Sequence, residues 1–468
     1  MKKNILKDNV NAVAFFNILG PIVLNGINFF TIPIFTRVLG TDNYGLYTIY
    51  STWVSVATIL IGLQVMGTVG VANVQFPESD KKKYYSSICT LIMVSFCAFF
   101  IMMILCMPWL TKYMGLPRKM IILMSVHALG MAFVNLALNR YTYEKKAHLT
   151  FALSVGIAVS GIALSFLFFT QISDKNVLYY GRAYGYAVPY ILLGFLLCVV
   201  YIIQGKTAFS KKYWSFCLTL CLPMVFHGLS QLILSQADKV MLQNIMSDGI
   251  VGIYSFTFTF AHVMNIIYNS FNNTWVPFYY EDMKAGKFDS IHRRTKNYVF
   301  IFTGLSIGFI LLAPEVIKLF ANEDFWSGIP LVTVFVLANY MMFLYSFPVN
   351  FEFYHKKSIH IAIGTCSAAI INCILNYLWI PIWGMTGAAM ATLVSYILLW
   401  IFHHLAAKYF IREEYHYRLY EFLPGLITMI GFVVLVTLLL EKPVIRWGIA
   451  VIVAVVMLRH LIKIKSIF

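Results

Sequence analysis

The segment "YEKKA" at residues 143–147 recurs as "YHKKS" at residues 354–358, 211 positions later, and each copy stands at the start of a long apolar run. A second pair, "GPIVLNG" at 20–26 and "CLPMVFHG" at 221–228, repeats Pro21 and Gly26 as Pro223 and Gly228 at an offset of 202. The same offset carries Arg37 onto Lys239. After a five-residue insertion "YGLYT" (44–48) aligns with "VGIYS" (251–255), and the basic stretches 81–83 and 292–296 fall in equivalent connections. Chance similarity among apolar segments would not match Pro, Gly and paired Lys in this way, so the chain reads as two copies of one unit.

Composition fixes the solvent in which those copies fold. Of 468 residues, 60% are hydrophobic and 12% are charged, against roughly 25% charged in a soluble domain. Runs of about twenty apolar residues, each long enough to cross a bilayer as a helix, recur fourteen times: roughly 11–36, 46–72, 84–107, 119–140, 149–170, 184–203, 214–237, 250–275, 296–318, 328–350, 358–379, 384–407, 422–440 and 444–462. The expected fold class is an all-α integral membrane protein of about 14 transmembrane helices. Helices 1–6 form one lobe (1–205), helices 7–12 a second (206–410), and helices 13–14 (411–468) lie outside the repeat. An even number of helices per copy starts both copies on the same side of the membrane, which makes them parallel repeats suited to alternating access.

The net charge of +16 invites comparison with nucleic-acid binders, but its distribution answers a different need. With the N-terminus in the cytoplasm, 25 of the 35 Lys and Arg fall in the N-tail, the C-tail and the connections on that same side. That is the positive-inside bias, and it places both termini in the cytoplasm and excludes a nucleic-acid partner. The first apolar run has no small-residue cleavage site and reads as a retained helix. The eight cysteines lie in or at the ends of apolar runs without a metal-ligand pattern; no metal is expected.

The stretch "PIFTRVLGTDNYGLY" (33–47), with its Thr-Arg, Leu-Gly and Tyr-Gly spacing, and "ADKVMLQN" followed by "VGIYS" (237–255) resemble the first- and seventh-helix signatures of the Wzx-type oligosaccharide flippases of the multidrug/oligosaccharidyl-lipid/polysaccharide (MOP) superfamily. The resemblance runs at least to helix 12. It implies a two-lobed fold like that of the MATE exporters. It also implies export of an undecaprenyl-pyrophosphate-linked sugar repeat unit across the inner, cytoplasmic membrane for cell-surface polysaccharide, without catalysis. It requires no cofactor, leaves room for a coupling ion (H+ or Na+), and implies as partners the lipid-linked oligosaccharide, membrane lipids, a polysaccharide polymerase and a chain-length regulator, with the monomer as the working form.

Such a protein must shield a pyrophosphate and a glycan from hydrocarbon. His227, Gln231, Ser235 and Asp238 share one stripe of helix 7; His262, Asn265, Asn269, Asn272 and Asn273 share another on helix 8; Asn17, Pro21, Asn25 and Asn28 share a face of helix 1. These faces are expected to line a cavity, the competing reading being interhelical hydrogen bonding. Arg37 and Lys239, with Arg182, are expected to form a positive ring at the outer mouth, and Asp238 to pair with Arg37 as a gate. His227 and His262 lie near the middle of their spans, where histidine suits proton coupling or a neutral hydrogen bond. Lys145, Lys146, Lys356 and Lys357 could meet the entering pyrophosphate, although the orientation rule already accounts for them.

Two other functions compete with this one. A cation-coupled drug exporter of the same superfamily would be expected to carry acids inside the bundle, where the sequence shows Asp238 beside Lys239 and places the remaining acids in or next to loops. A membrane glycosyltransferase or polymerase would be expected to have large outer loops bearing acid–base clusters, and would leave the repeat unexplained.

Overall fold

The computed structural model describes residues 2–411 and 415–464, without the side chains of 1–22, 24, 25, 28, 358 and 464. Helix α1 (Lys2–Gly62) carries the first two spans, which meet at a single residue, Gly40, with φ +65° and ψ −175°. The sequence suggests a loop over 37–45; instead the chain stays helical on both sides of the one residue able to adopt that conformation. The second span breaks at Leu63 and Gln64, whose φ angles are +49° and +55°, passes through a 3-10 turn at Val65–Thr68, and resumes as α2 (Val69–Gln75). There follow α3 (Glu78–Leu105), the short α4 (Met107–Met114), α5 (Arg118–Tyr143), α6 (Ala147–Phe169), α7 (Tyr179–Gly205) and α8 (Lys211–Ile245).

Helices α9 (Asp248–Ala261) and α10 (Val263–Lys284) make one span interrupted at His262. After α11 (Phe288–Phe320) and α12 (Leu331–Tyr354), α13 (Ser358–Leu405) holds two spans joined at Gly384 with φ +56°, and α14 (Leu423–Leu438) and α15 (Pro443–Ile464) complete the chain. Among the described residues, 11 stretches are long and apolar enough to cross a membrane. Counting both sides of Gly40 and of Gly384, and adding the shorter α14, gives the fourteen helices expected.

The chain divides into two compact units, Met1–Gln236 and Ala237–Phe468, with the boundary inside α8. In the first unit α5 and α7 touch through their backbones: a Cβ on Gly130 would lie 2.5 Å from the Tyr190 carbonyl oxygen, and one on Gly194 would lie 2.5 Å from that of Gly130. Close backbone approach through glycine is how apolar helices associate where no hydrophobic effect drives them together.

The repeated KK motif has a repeated backbone. Lys145 and Lys356 both adopt φ +58°. Lys146 N–H donates to the Tyr141 carbonyl at 2.8 Å and Lys357 N–H to that of Glu352 at 2.9 Å, and the same 211-residue offset relates the bonds from Glu144 to Arg140 and from Lys145 to Thr142 to those from His355 to Phe351 and from Lys356 to Phe353. These are helix ends closed by a left-handed residue, the six-to-one bond satisfying a terminal carbonyl.

In the second unit the C-terminal hairpin is anchored by one buried arginine. Arg446 holds Glu315 with two bonds, one of them 3.0 Å from Nη1, and donates to the carbonyls of Leu311 (2.7 Å), Leu439 (3.0 Å) and Leu440 (3.1 Å), fixing α15 to α11. Every face of the guanidinium is satisfied, the condition for burying such a charge. The segment before α14 is seated by His416, whose ring lies 4.4 Å from that of Tyr417 and 5.5 Å from that of Phe288. Burial, with the nearby His292 and His355, pushes the His416 imidazole down to about 4.

No atom lies within 4 Å of a Cβ built on Gly40, so a substitution there meets only backbone strain. Gly40→Ala should destabilise the protein by about 1–3 kcal/mol, read as a lowered unfolding temperature in detergent; an unchanged midpoint would show that the joint tolerates an ordinary residue.

Candidate functional site

In the first unit, Arg182 on α7 stands in an aromatic nest. Its guanidinium lies 3.8 Å from the Phe35 ring centroid and 5.3 Å from that of Tyr47, and Nη1 donates to Ser165 Oγ at 3.2 Å. Cation–π contact of this kind holds a charge in place while leaving its remaining donors available. Phe35 is buried and Arg37, two residues on, is exposed. Residues two apart point to nearly opposite sides of a helix, so Arg182 meets the Phe35 side of α1 and not the Arg37 side. The side chains of Asn25 and Asn28 lie outside the described residues.

The broken second span borders a pocket of about 260 Å³ that the sequence reading did not anticipate, with Ser55, Thr58, Gln64 and Asn135 as its polar lining. Irregular backbone at membrane depth is tolerated where it is buried in protein or lines a cavity. At the end of α5, Glu144 binds Arg140 Nε and Lys146 Nζ, each at 2.6 Å. Burial raises the Glu144 carboxyl, but those two bonds prevail and hold it below its ordinary value. Lys146 is thereby already engaged by an anion of the protein.

Arg37 belongs to the first unit, whereas Asp238 and Lys239 belong to the second. Asp238 is 1% exposed. Its carboxylate accepts the Lys239 backbone N–H at 2.9 Å and the Tyr254 hydroxyl. Lys239 is buried too, its ammonium 4.8 Å from the Phe258 ring, on which the His262 ring stacks at 5.8 Å. Thr392 of α13 faces Tyr254 and accepts from Asn372 Nδ2 at 3.5 Å, while Asn372 Oδ1 accepts from Asn376 at 3.0 Å. The acid thus sits at the head of a buried polar cluster built from three helices. Asn372 and Asn376 escaped the sequence reading, although their four-residue spacing was an available signal.

The stripe of α8 changes character along its length: His227 and Gln231 are exposed, Ser235 is half-buried with Oγ on the Leu232 carbonyl, and Asp238 is buried. In the first three turns of α10 the exposed positions are Asn269, Ser270, Asn273 and Thr274, with His262 exposed just before its start and Pro277, Glu281 and Lys284 exposed toward its end. Asn269 Nδ2 donates to Asn265 Oδ1 at 2.7 Å along the helix, whereas Asn272 turns aside to accept from Asn350 of α12 at 2.8 Å. Asn272 therefore binds helices together, and the exposed face is carried by its neighbours. Ser270 and Thr274 donate their hydroxyl protons to the Ile266 and Ser270 carbonyls (3.0 and 2.9 Å), so it is the exposed amides of Asn269 and Asn273 that hydrocarbon would leave short of partners and that favour water or a polar ligand.

The second unit also contains an apolar groove of about 650 Å³ along α11, α14 and α15. Lys296, Tyr420 and Glu421 line it alongside Phe300, Ile307 and Val456, and the Lys296 ammonium stands 5.0 Å from the Tyr420 ring.

A family model described as polysaccharide biosynthesis protein matches residues 12–283. Two Haemophilus influenzae proteins, an uncharacterized membrane protein and Lsg locus putative protein 1, are each 22% identical to the chain, over 76% and 71% of it and over 86% and 82% of their own lengths. Among solved structures, the lipid II flippase MurJ in an inward closed conformation matches with a TM-score of 0.76 at 16% identity, covering 97% of this chain and 100% of its own. An inward-facing multidrug resistance MATE family transporter of the MOP superfamily matches with a TM-score of 0.62 at 12% identity, covering 87% and 94%. At these identities the likeness is one of fold: a multi-pass helical membrane protein of the architecture that MurJ and the MATE transporters share.

Replacing Tyr254 by Phe strands one oxygen of a buried carboxylate. The protein should lose about 1–3 kcal/mol of stability, measured by thermal unfolding in detergent, and the added change Asp238→Asn should restore part of the loss. Equal midpoints for wild type and Tyr254→Phe would mean that Asp238 draws its support elsewhere.

Proposed function

The chain belongs to the polysaccharide biosynthesis protein family, and from that membership we propose that it is a flippase. Its cargo would be an oligosaccharide repeat unit linked through pyrophosphate to undecaprenol, moved from the cytoplasmic to the outer leaflet of the cytoplasmic membrane, with both termini of the chain in the cytoplasm. Beyond membership, one structural observation supports the reading: a polar face on α10 and an apolar groove along α11, α14 and α15 occur in the same compact unit.

An amphiphile with a hydroxyl-rich head and a long hydrocarbon tail needs both surfaces, and neither a purely polar nor a purely apolar solute does. Amides and hydroxyls exchange hydrogen bonds with sugar hydroxyls without demanding one arrangement, which lets a carrier release what it has bound. The groove offers the tail a path along the protein. The exposed Arg37 would meet the pyrophosphate, with Arg182 and Lys239 supplying further positive charge. Transfer of Asp238 from Tyr254 to Arg37 would gate the outer mouth, biased by whichever state the cargo binds more tightly. A polymerase and a chain-length regulator would receive the product, and the monomer would suffice for transport.

The test is transport by the purified protein in vesicles loaded with polyprenyl-pyrophosphate-linked oligosaccharide, scored by access of an external glycosidase to the sugar. Asn269→Leu with Asn273→Leu should cut the rate at least about tenfold, the equivalent of about 1.4 kcal/mol in the transport barrier, while the volume-conserving Met264→Leu on the buried side of the helix should leave it intact. Unimpaired transport by the double variant, at equal protein content, would remove the stripe from the mechanism; absence of transport by the wild type would overturn the flippase reading.

A further inference from the structure

Two ionisable side chains in the second unit are buried completely and take no part in the site above. Glu352, in the last turn of α12, and His403, in the last turn of α13, are each 0% exposed. The imidazole Nδ1 lies 2.8 Å from one carboxylate oxygen and 2.9 Å from the other, so a single N–H is shared between both oxygens. The opposite edge of the ring is pressed against α13 itself: a Cβ on Gly364 would come within 2.5 Å of Nε2, and Nε2 finds no hydrogen-bond partner. Tyr345 closes the pocket, its ring 5.1 Å away.

The charge balance of this pair has only two sensible states. Among the described residues His403 is the one ion-pair partner of Glu352. With one proton shared between them the pair is neutral, whether it is written as carboxylate and imidazolium or as acid and imidazole. Without that proton a buried carboxylate remains with no other ion-pair partner among the described residues, a state that burial opposes strongly. Taking one proton from water moves the pair from a net charge of −1 to 0, and no other reactant is needed.

We propose that Glu352 and His403 form a proton-binding site, and that its occupancy controls how tightly α12 packs on α13. Loss of the proton favours parting of the two helix ends and entry of water; gain of it closes them. The titratable groups around the pair are Tyr345 of α12, His355, Lys356 and Lys357 of the α12–α13 turn, His404 of α13, and Tyr415 of the following segment, whose hydroxyl meets His404 Nδ1 at 3.0 Å. Tyr268 of α10 and Tyr396 of α13 stand near enough to Tyr345 to interact electrostatically with it, and Tyr396 interacts likewise with Asp238. For transport, this deepens the proposal above by making the proton the coupling ion; the binding itself needs no cargo.

The experiment uses the full-length protein in lipid nanodiscs without substrate. Proton release is counted as the pH is raised from about 5 to about 10, and hydrogen exchange of the helix ends around 352–357 and 400–405 is followed in parallel. Wild type should release one proton more per chain than Glu352→Gln, and its exchange at both helix ends should rise over the same pH interval; the variant's exchange should not follow pH. If Glu352→Gln fails to fold, His403→Gln identifies the ring signal of His403 in the nuclear magnetic resonance spectrum of histidine-labelled wild type. A change of that signal with pH supports the site. Equal proton counts, or a His403 signal and helix-end exchange that ignore pH, would overturn it. Absence of transport in vesicles alongside a confirmed proton count would strike the flippase reading and leave the proton site standing.

Discussion

Hydrocarbon cannot solvate an amide, and α10 carries amides on one face and large aromatic rings on the other. Met264, Tyr268, Trp275 and Tyr279 are buried along one side, while Asn269, Ser270, Asn273 and Thr274 are exposed along the other. The buried side is locked: the Trp275 ring lies 5.3 Å from that of Tyr298 and 5.9 Å from that of Phe347, and the Tyr298 hydroxyl donates to the Phe271 carbonyl at 2.6 Å. Turning the helix by one residue would expose Trp275 and bury an asparagine without partners, two losses at once. The polar face is therefore presented by rigid packing behind it, which suits a binding surface that must keep its shape through a transport cycle.

The same solvent makes every interior charge conditional on its partners. Arg446 is tolerated because five acceptor contacts surround it. Asp238 is tolerated because Tyr254 and a backbone N–H reach it, and Glu352 because His403 does. These three solutions differ in what can change. A guanidinium stays charged, so the Arg446 clamp is permanent and keeps the α14–α15 hairpin on α11. The carboxylates can exchange partners or protons, and they stand where helices α8, α9, α12 and α13 meet. Permanent charge serves as an anchor here, and exchangeable charge sits among the helix contacts that can report on it.

Much of the fold was legible because membrane spans announce themselves by length and the repeat by its punctuation. The YEKKA and YHKKS turns prove to share even the left-handed lysine, since both must end one helix and begin another within a few residues. The joint at Gly40 was less legible, because a loop and a one-residue turn between helices have the same composition. The break at Leu63 and Gln64 had no sequence mark: neither residue favours positive φ, and only the surrounding packing holds them there. At the site, Asp238 and the Asn row of α10 were visible as polar residues in apolar spans. Asn272 could not be separated from its neighbours without knowing that Asn350 stands opposite. The Glu352–His403 pair was invisible for a different reason: the two residues are 51 positions apart, and an acid four residues before paired lysines reads as part of a cytoplasmic turn.

The central claim is that the polar face of α10 borders water inside the membrane and receives the glycan. It is tested most directly by single cysteines at 269, 270, 273 and 274, in a background without the eight native cysteines, challenged in vesicles with a thiol reagent that cannot enter lipid. The account predicts reaction at all four positions in at least one access state, slowed by lipid-linked oligosaccharide, and no reaction at 264 or 268. Reaction only with a lipid-soluble maleimide, or equal reactivity on both sides of the helix, would contradict it.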